Sequence, residues 1–178
     1  MTGAERGTAY HRAMQLTDLD ALKGLSGRAL VAELTRQLDG FANRRLITGA
    51  QRQAVRASNL ARFLESPLGI RLRAAETVRR EWAFNVMLRA GEALTPEEAG
   101  RFAGEELLVQ GSIDCCFLEN GAWVLLDYKT DRDDDPEALR AHYEKQLHVY
   151  ALALERITGV EVRERLLCLL SANAVVPV

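Results

Sequence analysis

The dipeptide Asn120-Gly121 constrains this chain more than any other pair of residues, because it fixes a register on both of its flanks. Both residues tolerate the positive φ of a two-residue type I′ turn, so Asn-Gly between alternating segments is a strong hairpin signal. With these two as the loop, Glu119 pairs with Ala122. Counting outward then pairs Phe117 with Val124, Cys115 with Leu126 and Ile113 with Tyr128, which makes one continuous apolar face. On the other face the same count sets Asp114 opposite Asp127 and Ser112 opposite Lys129.

Directly opposed residues on antiparallel strands have Cβ atoms about 5 Å apart, and like charges there destabilise the sheet. Two aspartates so placed call for a neutralising partner. A divalent cation suits, since Mg²⁺ is typically held by one or two carboxylates plus waters and phosphate oxygens. Lys129 shares the face of Asp127 and stands roughly 6 to 7 Å further along the strand. Carboxylates, cation and ammonium together are the equipment of phosphodiester hydrolysis. The metal lowers the pKa of bound water and takes up charge on the phosphate, while the lysine can orient the attacking water or stabilise the transition state. This pairing requires an even loop, because a one-residue bulge would send Asp114 and Asp127 to opposite faces.

Composition is compatible with this reading without advertising it. The 178 residues suffice for one domain with a proper core, and 48% hydrophobic with 27% charged residues reads as soluble and globular. No apolar run is long enough to span a membrane and no signal-peptide pattern is present, so the expected compartment is the cytoplasm. The net charge of −2 hides an asymmetry, with residues 1–101 at +5 and residues 102–178 at −7. Bulk charge therefore does not announce nucleic acid, and any phosphate binding needs basic residues focused locally. Of 23 basic residues only Lys23, Lys129 and Lys145 are lysines, and one of the three sits beside Asp127. A compact ammonium suits an approach to a single water better than a planar guanidinium does. The three cysteines, Cys115, Cys116 and Cys168, make neither a disulfide framework nor a CxxC pair and read as small strand hydrophobes.

The expected order is helix, three strands, helix, strand. A first helix opens with Thr8 as N-cap, and further helical patterns run over 27–38 and 49–64, the latter ending near Pro67. Residues 75–90 read as strands, a loop with a short turn at Thr95-Pro96 follows, and the hairpin covers about 107–129. Asp131 to Asp135 is an acidic loop ending in an N-cap, and Pro136 opens a long helix to Thr158. That helix carries Leu139, Tyr143, Gln146, Tyr150, Ala153 and Ile157 on one face. Residues 161–170 form a last strand before a short apolar tail. No P-loop (GxxxxGK followed by Ser or Thr) occurs, so no nucleotide is expected in this domain.

Gly7-Thr8-Ala9-Tyr10-His11, Gly111-Ser112-Ile113-Asp114, Asp127-Tyr128-Lys129-Thr130-Asp131 and Gln146-Leu147-His148-Val149-Tyr150, in that order, resemble the motifs of the RecB-type nucleases of the PD-(D/E)XK superfamily. With Arg80-Glu81-Trp82-Ala83-Phe84, the chain from Gly7 onward is most similar to the C-terminal nuclease domains of the AddA subunits of AddAB helicase-nucleases. The resemblance implies an α/β, restriction-endonuclease-like α-β-β-β-α-β core with an N-terminal helical region. It implies one nuclease domain over 1–178, with 1–74 mainly helical and carrying the His motif, and 75–178 carrying the Asp/Lys site. The implied activity is Mg²⁺-dependent exonuclease cleavage of single-stranded DNA during double-strand break repair and recombination, with Mn²⁺ able to substitute. The implied partners are a helicase portion, of the same or an associated chain, and an AddB-like subunit, with no membrane. His11, Asp114 and Asp127 would be metal ligands together with the main-chain carbonyl of Tyr128. Lys129 would be catalytic alongside Asp114 and Asp127, and Gln146 and Tyr150 would support the site or contact the DNA. The chain has no motor, as an excised or separately encoded nuclease domain would have none. Relatives with an iron-sulfur cluster need four cysteines, so no cluster is expected.

Plainer readings stand beside these. Taken alone, His11 reads as a core or helix-surface histidine, and Gln146 and Tyr150 read as groups hydrogen-bonded within the core. Glu81 is either an acid linked to the metal site or an edge glutamate paired with Arg79 or Arg80. Arg44-Arg45 and Arg79-Arg80 meet DNA phosphates or are merely solvated. The acid run before Pro136 is more simply a helix cap favoured by the dipole, and His142 and His148 read as helix-surface residues. The alternative function is a non-catalytic nuclease-like module that binds DNA or a partner subunit. Retention of opposed Asp, Asp and Lys argues against it.

Overall fold

The computed structural model describes residues 2–130, 135–170 and 172–178. The chain divides into two compact units: Met1–Glu76 with Tyr128–Arg132 and Cys168–Val175, and Thr77–Asp127 with Asp133–Leu167 and Val176–Val178.

The first unit is built on helices α1 (Gly3–Leu16), α2 (Gly27–Asn43), α3 (Gly49–Ala54), α4 (Ala57–Leu64) and α5 (Pro67–Ala74), with a 3-10 turn at Asp20–Leu22. In α2, Leu30, Leu34, Leu38 and Phe41 recur at helical spacing and are all buried, which fixes the face turned to α4. The Tyr10 hydroxyl of α1 accepts from Arg56 N at 3.2 Å and Asn59 Nδ2 at 3.1 Å, tying α1 to the start of α4. Helix α5 rests directly on the end of α4. A Cβ at Gly69 would fall 2.1 Å from the Phe63 carbonyl, so only glycine allows that approach.

The second unit carries most of a five-stranded sheet. Its elements in chain order are β1 (Thr77–Arg89), α6 (Ala90–Ala93), α7 (Pro96–Arg101), β2 (Glu106–Glu119), β3 (Ala122–Lys129), α8 (Pro136–Thr158), β4 (Val162–Leu169) and β5 (Ala174–Pro177). The sheet order is β1-β2-β3-β4-β5. β1, β2 and β3 form an antiparallel meander, and α8 is the crossover joining β3 to its neighbour β4. Asp135 caps α8 by accepting from Glu137 N at 3.0 Å, and Gly159 ends it at φ 69°. Helix α8 packs on β1 and β2, and Trp123 Nε1 of β3 donates to Thr158 Oγ1 at 3.1 Å.

The hairpin forms as counted as far as Cys115 and Leu126, and the expected pairs Ile113 with Tyr128, Asp114 with Asp127 and Ser112 with Lys129 lie beyond the paired stretch. Asn120 and Gly121 have φ 50° and 78°, and Glu119 pairs with Ala122, Phe117 with Val124 and Cys115 with Leu126. Its second face differs from the expected open polar one. Trp123, Leu125 and Asp127 are as buried as Val124 and Leu126, because β3 lies inside the sheet between β2 and β4. Other boundaries also shift. Thr2, not Thr8, caps α1 through a capping box with Glu5, and Thr8 lies inside the helix. The pattern over 49–64 is two helices, broken at Val55 and Arg56, and Pro67 begins a helix rather than following one. Residues 75–90 hold one strand, and the apolar tail contains β5. The buried stripe of α8 runs through Leu139, Leu147, Ala151 and Leu154, whereas Ile157 is exposed. The expected acidic loop at Asp131–Asp134 lies outside the described residues.

Candidate active site

The irregularity in the sheet sits beside an aspartate. β1 and β2 are paired from Thr77↔Leu118 to Arg80↔Cys115 and again from Trp82↔Ile113 to Arg89↔Glu106, so Glu81 stands opposite Asp114 where the pairing is interrupted. Glu81 has φ 48°, a left-handed conformation that a residue with a Cβ adopts at a cost. The kink resets the strand's alternation. The Arg79 guanidinium lies 5.9 Å over the Trp82 ring, and Trp82 packs against Trp123 at 6.5 Å, although residues three apart in a regular strand face opposite ways. A carboxylate oxygen of Glu81 and one of Asp114 lie within 4.8 Å of each other, both side chains half-buried. The left-handed Glu81 thus sets two carboxylates, a donor type that divalent ions accept, at one point of the sheet.

Asp127 and Lys129 lie at the end of β3, just beyond the last paired residues Cys115 and Leu126 of the hairpin. Asp127 is 3% exposed, and its Oδ1 lies 3.5 Å from Gln146 Nε2 of α8, a long amide donor contact. Four residues on, the Tyr150 ring meets Phe84 edge-on at 5.4 Å between centroids. Gly111 belongs to the same packing: a Cβ there would fall 2.8 Å from the Phe84 ring and 3.1 Å from Tyr150, which gives the glycine of Gly-Ser-Ile-Asp its physical reason. Lys129 is half-buried, and its main-chain carbonyl accepts from Leu170 N at 2.9 Å.

In the first unit, His11 lies on the face of α1 toward Tyr128. Its Nε2 is 2.8 Å from the Tyr128 carbonyl oxygen, and the two rings meet edge-on at 6.0 Å. Phe63 braces the other side of Tyr128 at 5.8 Å. At 2.8 Å the Tyr128 carbonyl oxygen accepts from the His11 imidazole N–H, and these are the two atoms of the first unit that would face a bound cation. Within the second unit, the carboxylate oxygens of Glu81 and Asp114 are donors of the type that suits a hard divalent ion.

The residues singled out from sequence are thus distributed as follows. Tyr128 meets His11 in the first unit, and Gln146 reaches Asp127 in the second. Asp114 has Glu81 as its carboxylate neighbour, and Glu81 was not among the site residues expected from sequence. Its place follows from the β1–β2 register, which the sixteen intervening residues with two short helices do not fix, because no two-residue hairpin loop joins the strands. His142 and His148 lie on the exposed surface of α8, and the His148 ring contacts the Glu92 carbonyl at 3.0 Å.

Over residues 1–175 the sequence matches the PD-(D/E)XK nuclease superfamily. It is 41% identical over 178 residues to the ATP-dependent helicase/nuclease subunit (AddA) of Heliobacterium modesticaldum, a match covering 96% of this chain and 12% of that protein. The AddA proteins of Acetivibrio thermocellus and Clostridium novyi are 38% and 35% identical, covering 93% and 95% of this chain and 12% and 13% of theirs. The chain therefore spans about one eighth of the length of the curated relatives it matches.

Proposed function

Since the chain belongs to the PD-(D/E)XK nuclease superfamily, we propose that it is a divalent-metal-dependent exonuclease acting on phosphodiester bonds of single-stranded DNA. In this reading it is the nuclease segment of a cytoplasmic helicase-nuclease, working with a helicase portion and an AddB-like subunit in double-strand break repair. The helicase/nuclease names of its relatives support that setting. The observation that carries the chemistry is the left-handed Glu81 opposite Asp114, a costly arrangement that gathers two carboxylates at one point of the sheet.

Asp114 and Asp127 hold the cation, with Glu81 beside Asp114 and with His11 and the carbonyl of Tyr128, the residue after Asp127, completing the protein's ligands. Mg²⁺ bound there supplies a more acidic water and positive charge against the phosphate, and Mn²⁺ fills the same role. Lys129, two residues beyond Asp127 on the same strand, aligns the attacking water or stabilises charge on the phosphoryl oxygens. The Gln146 amide restrains Asp127, and the Phe84 contact holds Tyr150 on the same helix.

The test is Asp127→Ala. Cleavage of end-labelled single-stranded DNA in Mg²⁺ should fall by roughly a thousandfold or more, with the circular dichroism spectrum unchanged. A variant that cuts at the wild-type rate would falsify the site assignment.

A further inference from the structure

The outer half of the β1–β2 ribbon has a face that the hydrolytic reading leaves unused. Among the described pairings, residues 106–113 of β2 pair with β1 alone, so the ribbon extends as two strands beyond the hairpin. Phe84, Val86 and Leu88 are buried on one side of it. On the other, Asn85 stands opposite Gln110, Met87 opposite Leu108 and Arg89 opposite Glu106. Toward the hairpin the rungs continue to Ala83 opposite Ser112, so the ladder leads up to the kink where Glu81 stands opposite Asp114.

The chemistry of the rungs selects an occupant. Met87 is 43% and Leu108 61% exposed, an apolar rung standing in water, and burial of such side chains under a flat apolar surface is favourable. Gln110 Nε2 donates to Asn85 Oδ1 at 2.7 Å, which leaves an amide donor and an amide acceptor facing outward. Arg89 and Glu106 offset each other in charge, so the face has little to attract phosphates. An apolar platform beside amide groups suits nucleobases rather than backbone. Rungs on one face recur every ~7 Å, about twice the ~3.4 Å rise of a stacked strand, so bases laid on them are separated from one another, as only a single strand permits.

We infer that this face is a base-binding track that holds the nucleotides flanking the scissile phosphate of single-stranded DNA. The inference rests on the nuclease reading above and adds the surface by which the substrate is held. It is tested with two independent variants of this chain, Met87→Ser with Leu108→Ser, and Asn85→Ala with Gln110→Ala. Binding to fluorescent oligonucleotides of about 4 and about 20 nucleotides is read by anisotropy in Ca²⁺, and cleavage of the longer one in Mg²⁺. The wild-type chain should bind the longer strand more tightly. The Met87/Leu108 variant should lose roughly tenfold in that affinity and raise KM by a similar factor with a smaller change in kcat. The ratio of variant to wild type should hold between low and moderate salt, because base contacts release no counterions. Ile70→Ser, at an exposed isoleucine of α5, is the control that should change neither quantity.

Unchanged binding in both ribbon variants overturns the inference, as does a variant effect that vanishes with added salt. A wild-type dimer that the Met87/Leu108 variant dissolves in sedimentation velocity also overturns it, since the face would then join two copies of the chain. A wild-type chain that never cuts refutes the nuclease reading instead, while the binding ratio still decides the track.

Discussion

Glu81 shows how a single residue sets the local electrostatics of this protein. Its φ of 48° costs stability, and Asn tolerates the left-handed region while removing the charge. Glu81→Asn should therefore stabilise the fold by roughly 1 kcal/mol while slowing cleavage, read from chemical denaturation and from turnover on the same preparations. A variant that is both less stable and fully active would contradict this. The two-residue loop made the hairpin register legible as far as Cys115 and Leu126, whereas Glu81 was read from sequence only as either an acid linked to the metal site or an edge glutamate, and its left-handed backbone was not legible. Cys116 illustrates the reverse case, where the plain reading suffices. Burial is the main cause that pushes its thiol up to about 12, with the neighbouring Cys115 adding to it. Native protein at about pH 8 should resist maleimide or disulfide reagents at this position until it is unfolded, as peptide mapping will report.

Elements whose ends carry chemical markers were legible, and those without were not. Asp135 and Pro136 open α8 in sequence as in structure, and the expected end at Thr158 is where the left-handed Gly159 stops the helix. The break at Val55 and Arg56 was hidden because the apolar spacing of α3 and α4 runs through it, and the capping box at Thr2 competes with an equally plausible Thr8. Tertiary ties between elements were invisible. Lys145 of α8 reaches Glu98 of α7 at 2.7 Å and, with the Thr95 cap, lowers its carboxyl to about 2. The folded pKa lies below the ordinary 4.5, so this interaction is fully present above that value and is lost as pH falls toward 2. Glu98→Gln should be less stable than wild type at neutral pH, and the difference should shrink across that window. Thermal melts of both proteins in a pH series check this. Equal differences at every pH would show that the tie contributes nothing.

At the scale of the whole molecule, the basic residues 1–101 and the acidic residues 102–178 combine in one nuclease-superfamily chain whose relatives carry a helicase name and are about eight times longer. The superfamily was legible because its motifs recur in order, and the sheet order follows from the hairpin and the α8 crossover. The ribbon face and the Glu81 kink were not, since both depend on pairing between strands far apart in sequence. The proposed hydrolysis depends on a cation at Asp114 and Asp127, with Lys129 acting on the reaction. Its most direct test follows cleavage of end-labelled single-stranded DNA during Mg²⁺ titration, chelation and re-addition, for wild type and Lys129→Ala. Wild-type cleavage should rise with Mg²⁺, stop on chelation and return. Lys129→Ala should still bind the metal yet cut at least roughly a hundredfold more slowly. Cleavage that survives chelation, or a Lys129→Ala variant that cuts at the wild-type rate, would contradict the claim.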